Sequence, residues 1–317
     1  MHRHQPVRQL AAGPISTISA LVALPNKKIV SASTDLTIKI WDENGECILN
    51  IISEDAEQEG TVLCLLVLSD NRLVTGSEYG FINLYYFNLH FNNYLKTTLK
   101  KVDEMVRALT AFPNGHFASG QSDSITLWQP VGIESKSWSL PLALLTLHCM
   151  VAIYDDWVAI GLGNNTIQIR NLQNDQPIIL LGHTNSVFAL TMYNNFLVSA
   201  SNDQTIKIWN LSTGAVIKNL EGHHRSIYSL LAVPQKRLLV SGADDGKLIF
   251  WDMNNFTSIE RYQQHPSAVE ALAFSNDKVF SGSNTIRTWL TNYNPRALPP
   301  VPNFSSATKK ADNSCQL

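Results

Sequence analysis

Between residues 186 and 220 the chain alternates short apolar, β-branched and aromatic runs with polar breaks. SVFALTMY (186–193), NFLVSAS (195–201), TIKIWN (205–210) and AVIKNL (215–220) are set off by Asn-Asn, Asn-Asp-Gln and Ser-Thr-Gly. Runs this short, rich in residues that fit a pleated surface, predict four β-strands, and a helical period has no room to develop. Asn44-Gly45, Asn114-Gly115 and Asp245-Gly246 fall between similar runs elsewhere, where tight hairpins require positive φ.

The pattern is copied along the chain. SASNDQTIKIWN (199–210), SGADDGKLIFWD (241–252) and SASTDLTIKIWD (31–42) match in polar, turn and aromatic positions. The same register extends to SGQSDSITLWQ (119–129) and SGSNTIRTWL (281–290), and more weakly to TGSEYGFINLYY (75–86) and IGLGNNTIQIRN (160–171). Seven copies place their anchors at Trp41, Tyr85, Trp128, Arg170, Trp209, Trp251 and Trp289, with separations of 38 to 44 residues. A period near forty is what four short strands and their turns occupy, so the expected fold is all-β, a seven-bladed β-propeller of four-stranded antiparallel blades.

A ring of sheets must join its first and last blades. After Trp289 the chain continues NYNPRALPPVPNFSSATKK, whose prolines cannot supply ladder donors, whereas RHQPVRQL (3–10) precedes the first inner strand and is spare. The N-terminal segment is therefore expected to complete the last blade. That divides the chain into a propeller over 1–293 and a flexible Pro/Ser-rich tail over 294–317.

The Trp-Asp endings Trp41-Asp42 and Trp251-Asp252, with the pairs Gly182-His183 and Gly222-His223, resemble the WD-repeat family over roughly residues 4 to 290. The resemblance implies buried hydrogen-bonded tetrads on His183, Ser199, Asp203 and Trp209, and on His223, Ser241, Asp245 and Trp251. Such a role is physically sensible, since a buried carboxylate needs donors and a buried indole N–H needs an acceptor. Blade one departs from the pattern with Gly13-Pro14 in place of Gly-His, and blade seven has His265 and Trp289 without the Asp. Where Tyr85 and Arg170 replace tryptophan, the blades are expected to rely on apolar packing alone.

Composition narrows the function. Net charge is −2 and the Lys-Lys pairs at 27, 100 and 309 are isolated, so there is no basic footprint for nucleic acid. Four cysteines without CxxC spacing fit a reducing compartment. No apolar stretch of signal or membrane length occurs, so the expected location is cytoplasm or nucleus, with no membrane partner. No nucleotide, zinc-protease or nucleophile-elbow motif appears, and no cofactor or metal is expected. His, Ser and Asp at fixed offsets invite a hydrolase reading, but their repetition in two blades argues for scaffolding.

The resemblance implies a protein-protein interaction scaffold, monomeric within a larger complex, whose partners dock on the face made by the loops entering each inner strand. Substrate recognition for a ubiquitin ligase is the alternative, and a propeller hydrolase a more remote one. Aligning the repeats on Phe188 gives Leu63, Arg107, Tyr228, Glu270 and Ser19 as a ring, with Arg225 just upstream of Tyr228. Aromatic and Arg side chains are enriched at binding hot spots, although Phe188 and Tyr228 read equally well as core aromatics. SEDAEQEG (53–60) offers Glu54, Asp55, Glu57 and Glu59 either to a basic partner or simply to solvent. In the tail, Arg296, Pro299 and Pro302 form R-x-x-P-x-x-P, a pattern SH3 domains grip as a polyproline II helix and one that also arises by chance.

Overall fold

The computed structural model describes residues 16–52, 55–88, 90–91, 93–139, 146–172 and 177–291, together with the backbone of 6–10. Gly13-Pro14, Glu54 and the tail motif at Arg296, Pro299 and Pro302 lie outside the described residues. The described strands form seven four-stranded antiparallel sheets. Six are consecutive in sequence, as in blade five with Val187–Tyr193, Phe196–Ser201, Thr205–Asn210 and Val216–Glu221. The first strand of every blade packs against the first strand of the next, and Ala271–Ser275 of blade seven returns to Ile18–Ala23 of blade one. The sheets therefore close into a ring around a central channel.

Closure uses the N-terminal segment. Blade seven holds Ala271–Ser275, Lys278–Gly282 and Ile286–Leu290, and its fourth strand is Pro6–Leu10, antiparallel to the third with Leu10 opposite Ile286 and Pro6 opposite Trp289. Among the described residues, helix is confined to two short turns, Ala56–Glu59 and the 3-10 turn Pro234–Lys236. Gly45, Gly115 and Gly246 adopt φ of 80°, 84° and 73°, as their hairpins require.

Apolar clusters bind blade to blade. Trp209 packs with Ile167 and Ile169 of blade four, and Trp41 with Ala271, Phe280 and Ile286 of blade seven. The five anchor indole N–H groups also find a hydroxyl within their own blades: Trp41 to Ser31, Trp128 to Ser119, Trp209 to Ser199, Trp251 to Ser241 and Trp289 to Ser281, all at 2.8 to 2.9 Å. The small residue after that serine or threonine has a steric cause. A Cβ on Gly76 would lie 2.4 Å from Val106 Cγ1, the first inner residue of the following blade.

Blades two and four correct the expectation of apolar packing alone. Beside Tyr85, Glu59 is buried, ion-paired with Lys96 Nζ and bonded by Asn83 Nδ2 at 3.2 Å, while Thr98 Oγ1 donates to Asn83 Oδ1 at 2.8 Å. In blade four Arg170 is buried and its Nε donates to Gln168 Oε1 at 3.0 Å. A buried Tyr or Arg cannot fill the space of an indole, so charged and amide groups pair among themselves there, and a buried charge is tolerable only when so partnered. Glu59 thereby leaves the acidic surface of 53–60, where Asp55 and Glu57 remain exposed.

Candidate partner-binding mouth of the channel

At the upper end of the channel, where the inner strands begin, one local irregularity recurs. The first two strands shift register between Ile18 and Ala20, Val62 and Cys64, Val106 and Ala108, Leu147 and Cys149, Val187 and Ala189, and Ile227 and Ser229. Each shift is a β-bulge that leaves one residue without a cross-strand partner and re-aims its side chain. The freed residues are Ser19, Leu63, Arg107, His148, Phe188 and Tyr228. Blade seven contributes Glu270, just before its first strand, with its N–H on Gly282 O at 3.0 Å.

These seven side chains, with Asp244 and Ala268, line a cavity of about 440 Å³. The repeat alignment named Ser19, Leu63, Arg107, Phe188, Tyr228 and Glu270, and the structure brings all six together. It adds His148, whose register was hidden by the irregular sequence ahead of Leu147. Matching Leu147-His148-Cys149 to Val187-Phe188-Ala189 would have found it. Arg225 is placed differently: it does not line the cavity but stands at the rim, its side chain 66% exposed and Nη1 3.5 Å from Asp244 Oδ2. Three residues earlier than the bulge, it belongs to the loop rather than to the ring.

The mouth is chemically two-sided. His148, Phe188 and Tyr228 form an aromatic arc, with centroids 4.9 and 5.3 Å apart, and both Phe188 and Tyr228 are only half-buried. At one end of the arc stands Arg107, whose Nε has no hydrogen-bond partner. Burial and the Arg107 charge push the His148 imidazole below its ordinary value, so it is neutral at pH 7. Across the mouth, burial and the nearby Asp244 carboxylate push the Glu270 carboxyl up. One site thus offers an aromatic shelf, a guanidinium and a carboxylate pair within one opening.

The tetrads lie away from this mouth, inside the blades. In blade five His183 Nδ1 is 2.7 Å from Asp203 Oδ2, Nε2 is 2.7 Å from Ser199 Oγ, and Thr205 Oγ1 donates to Asp203 Oδ1 at 2.7 Å. Burial raises the Asp203 carboxyl, but hydrogen bonds from His183, Thr205 and the Thr184 N–H outweigh it and hold it well below the carboxylate range. Blade six keeps three members. His223 Nε2 meets Ser241 Oγ at 2.7 Å, yet His223 Nδ1 has no partner, and Asp245 Oδ2 pairs instead with Lys247 Nζ at 3.2 Å. Lys247 stands where blade five has Thr205, so the hydroxyl that donates to Asp203 has no counterpart here and an ammonium lies beside the carboxylate instead. Blade seven likewise joins His265, Ser281 and Trp289, with His265 Nδ1 unpartnered. Ser199, Ser241 and Ser281 are 0% exposed, so no substrate reaches these hydroxyls. Among the described residues no cluster of three metal-ligating side chains occurs, and no helix is long and apolar enough to cross a membrane.

Comparison with known proteins follows the same outline. The family profile "WD domain, G-beta repeat" matches residues 4–42, 175–210 and 214–252. Each match begins on the outer strand of one blade and ends on the third strand of the next, so the sequence repeat is offset from the blade by one strand. The chain is 28% identical over 333 residues to the kinesin-like protein KIF21B of Mus musculus, covering 98% of this chain but 18% of that protein. It is 28% identical over 138 residues to the small ribosomal subunit protein RACK1 of Drosophila melanogaster, covering 41% of this chain and 43% of that one. Among solved structures, the computationally designed Ika8 protein matches with a TM-score of 0.70 and 26% identity, over 90% of this chain and 99% of that chain. The chain thus spans less than a fifth of the length of its kinesin-like relative.

Proposed function

The chain belongs to the WD-repeat β-propeller family, and on that premise we propose that it is a non-catalytic protein-protein interaction scaffold that grips a peptide segment of a partner at the upper mouth of its channel. The observation that carries this reading is the bulge repeated at one position of six inner strands, which turns Leu63, Arg107, His148, Phe188 and Tyr228 out of the ladder and toward one cavity. Residues freed from packing in this way are available to a ligand. A half-buried aromatic arc beside an arginine is the composition of a binding hot spot, and a carboxylate pair opposite gives a docked segment its direction.

The test is affinity purification of the full chain against an Arg107→Ala/Tyr228→Ala variant that melts like wild type. Loss of the wild-type partners supports the mouth as the site; an unchanged set refutes it. Recruitment of ubiquitin-ligase substrates would use the same mouth and shows itself by ligase subunits among those partners. The R-x-x-P-x-x-P tail adds a separate surface, for which an SH3 domain is the proposed partner. Titration of a 294–304 peptide onto SH3 domains, with Arg296→Glu as control, tests that.

A further inference from the structure

Blade seven keeps the His, Ser and Trp of the tetrad without its acid, and the difference comes down to two residues. Ser283 holds the place of Ser201: Ser201 Oγ donates to Asn185 O at 2.9 Å and Ser283 Oγ to Ser267 O at 3.1 Å, two residues after the histidine in both blades. Thr285 stands where blade five has Thr205, because Ile286 pairs with Gly282 as Ile206 pairs with Ala200. Between these fixed points blade five holds Asn202, Asp203 and Gln204, and blade seven holds Asn284 alone. The turn that supplies the carboxylate is two residues shorter.

The donors that serve that acid are retained. In blade five the Asp203 carboxylate receives His183 Nδ1, Thr205 Oγ1 and the N–H groups of Thr184 and Thr205. In blade seven His265 is 4% exposed with Nδ1 unpartnered, and Thr285 Oγ1 is buried without a partner. Pro266 removes the N–H that Thr184 supplies, and a guanidinium stands in. Arg287 lies directly opposite Ser281, the serine that His265 bonds, and its Nη1 donates to Gln264 Oε1 at 3.3 Å, next to His265. Its Nε is also buried and unpartnered. Thr285 and Arg287 are two apart and so share one side of the strand, and in blade five the equivalent Thr205 Oγ1 lies 3.4 Å from His183 Nδ1. Trp289 donates to Ser281 and Ser281 to His265 Nε2, which leaves the proton of the neutral imidazole on Nδ1 as a donor. Three donors, one of them cationic, are thus desolvated around a place where this chain has no acceptor, and each bears the full desolvation penalty. We propose that blade seven binds a carboxylate from outside the chain, held by His265 Nδ1–H, Thr285 Oγ1–H and Arg287 Nε–H in the place that Asp203 fills in blade five. The site opens on the turn between second and third strands, and it does not depend on a partner at the channel mouth.

Histidine-selective NMR of the full chain tests this, with sodium formate as the probe at pH 7 over about 1–100 mM, the range open to so small a ligand. The His265 resonance, assigned by its loss in His265→Gln, should move and saturate. His183, whose Nδ1 already meets Asp203, should stay in place and serves as the control within the same molecule. Thr285→Val/Arg287→Gln should weaken formate binding at least about tenfold, and inserting Asp-Gln between Asn284 and Thr285, which restores the blade-five turn, should abolish the response. Melting gives a second readout: about 100 mM formate should raise the melting temperature of wild type about 3 °C more than that of the double variant, a difference in which the general salt effect cancels. N-acetylaspartate amide and its asparagine counterpart separate the sources of the carboxylate. A response to formate and to the aspartyl compound admits an acidic side chain of a partner, a response to formate alone admits a free small anion, and both support the site. No saturable shift at His265, an equal shift from sodium chloride, or a response that survives in the double variant overturns the proposal.

Discussion

Mild acid should destabilise the propeller through His223 and His265. Each is buried with one ring nitrogen on a serine hydroxyl and the other unpartnered, and burial pushes each imidazole down to about 4. In the unfolded chain an imidazole titrates near ~6.5. The unfolded state therefore binds more protons between those values, and stability is lost as pH falls through the window from the upper value toward the lower. Linkage gives about 1.4 kcal/mol lost per histidine on going from pH 7.5 to pH 5.5, hence about 3 kcal/mol for the pair. His148 shifts stability in the same direction and Glu270 in the opposite one, so the clean observable is a difference between proteins. Urea unfolding followed by tryptophan fluorescence at the two pH values, in wild type and in His223→Gln/His265→Gln, isolates it; glutamine keeps a donor for the serine but does not titrate. Wild type should lose about 3 kcal/mol more than the variant. Equal losses would refute the view that these two imidazoles are held neutral by burial.

Three further outcomes follow from the packing. Deleting residues 1–11 removes the fourth strand of blade seven and should lower the melting temperature by on the order of 10 °C, measured by circular dichroism; an unchanged melt sinks the closure. Trp209→Ala empties an interblade site and leaves Ser199 without its indole donor, at a cost of about 3–5 kcal/mol by urea unfolding. Gly246→Gln should cost at least about 2 kcal/mol, because a Cβ there meets His265 O at 2.2 Å, whereas Gln204→Gly at the matching turn of blade five, already at φ 70°, should be nearly neutral.

The architecture was legible because its signals are repeated: one tryptophan and one serine in five blades, one period carried through all seven, and a spare strand at one end matched to a missing strand at the other. Most of the mouth was legible for the same reason, since a position defined by a repeat transfers from Phe188 to Tyr228 or Arg107 without any knowledge of contacts. His148 was lost because the sequence before Leu147 is irregular and the register could not be carried across it. The open arm of blade six was illegible for a different reason. His223 and Asp245 hold the right places yet do not meet, and the side chain two residues after the Asp differs, Lys247 against Thr205 in blade five, a difference that spacing does not encode. Glu59, too, reads as one of four acidic loop residues until Lys96, 37 positions away in sequence, draws it inward. What escaped the sequence, then, were pairings that the spacing of the repeat does not carry.

The strand Pro6–Leu10 has its partner at Ile286–Leu290, so the contact that seals the ring spans some 276 positions of sequence. Synthesis delivers the first of these strands long before the second. At about 5–20 residues per second, the first waits on the order of tens of seconds with its ladder groups unpaired while six blades assemble. Ring sealing is then a late, high-entropy closure, and such contacts set the pace of folding. Until that closure the chain is an open arc of blades with an unsatisfied edge at each end, the form most exposed to edge-to-edge pairing with another chain.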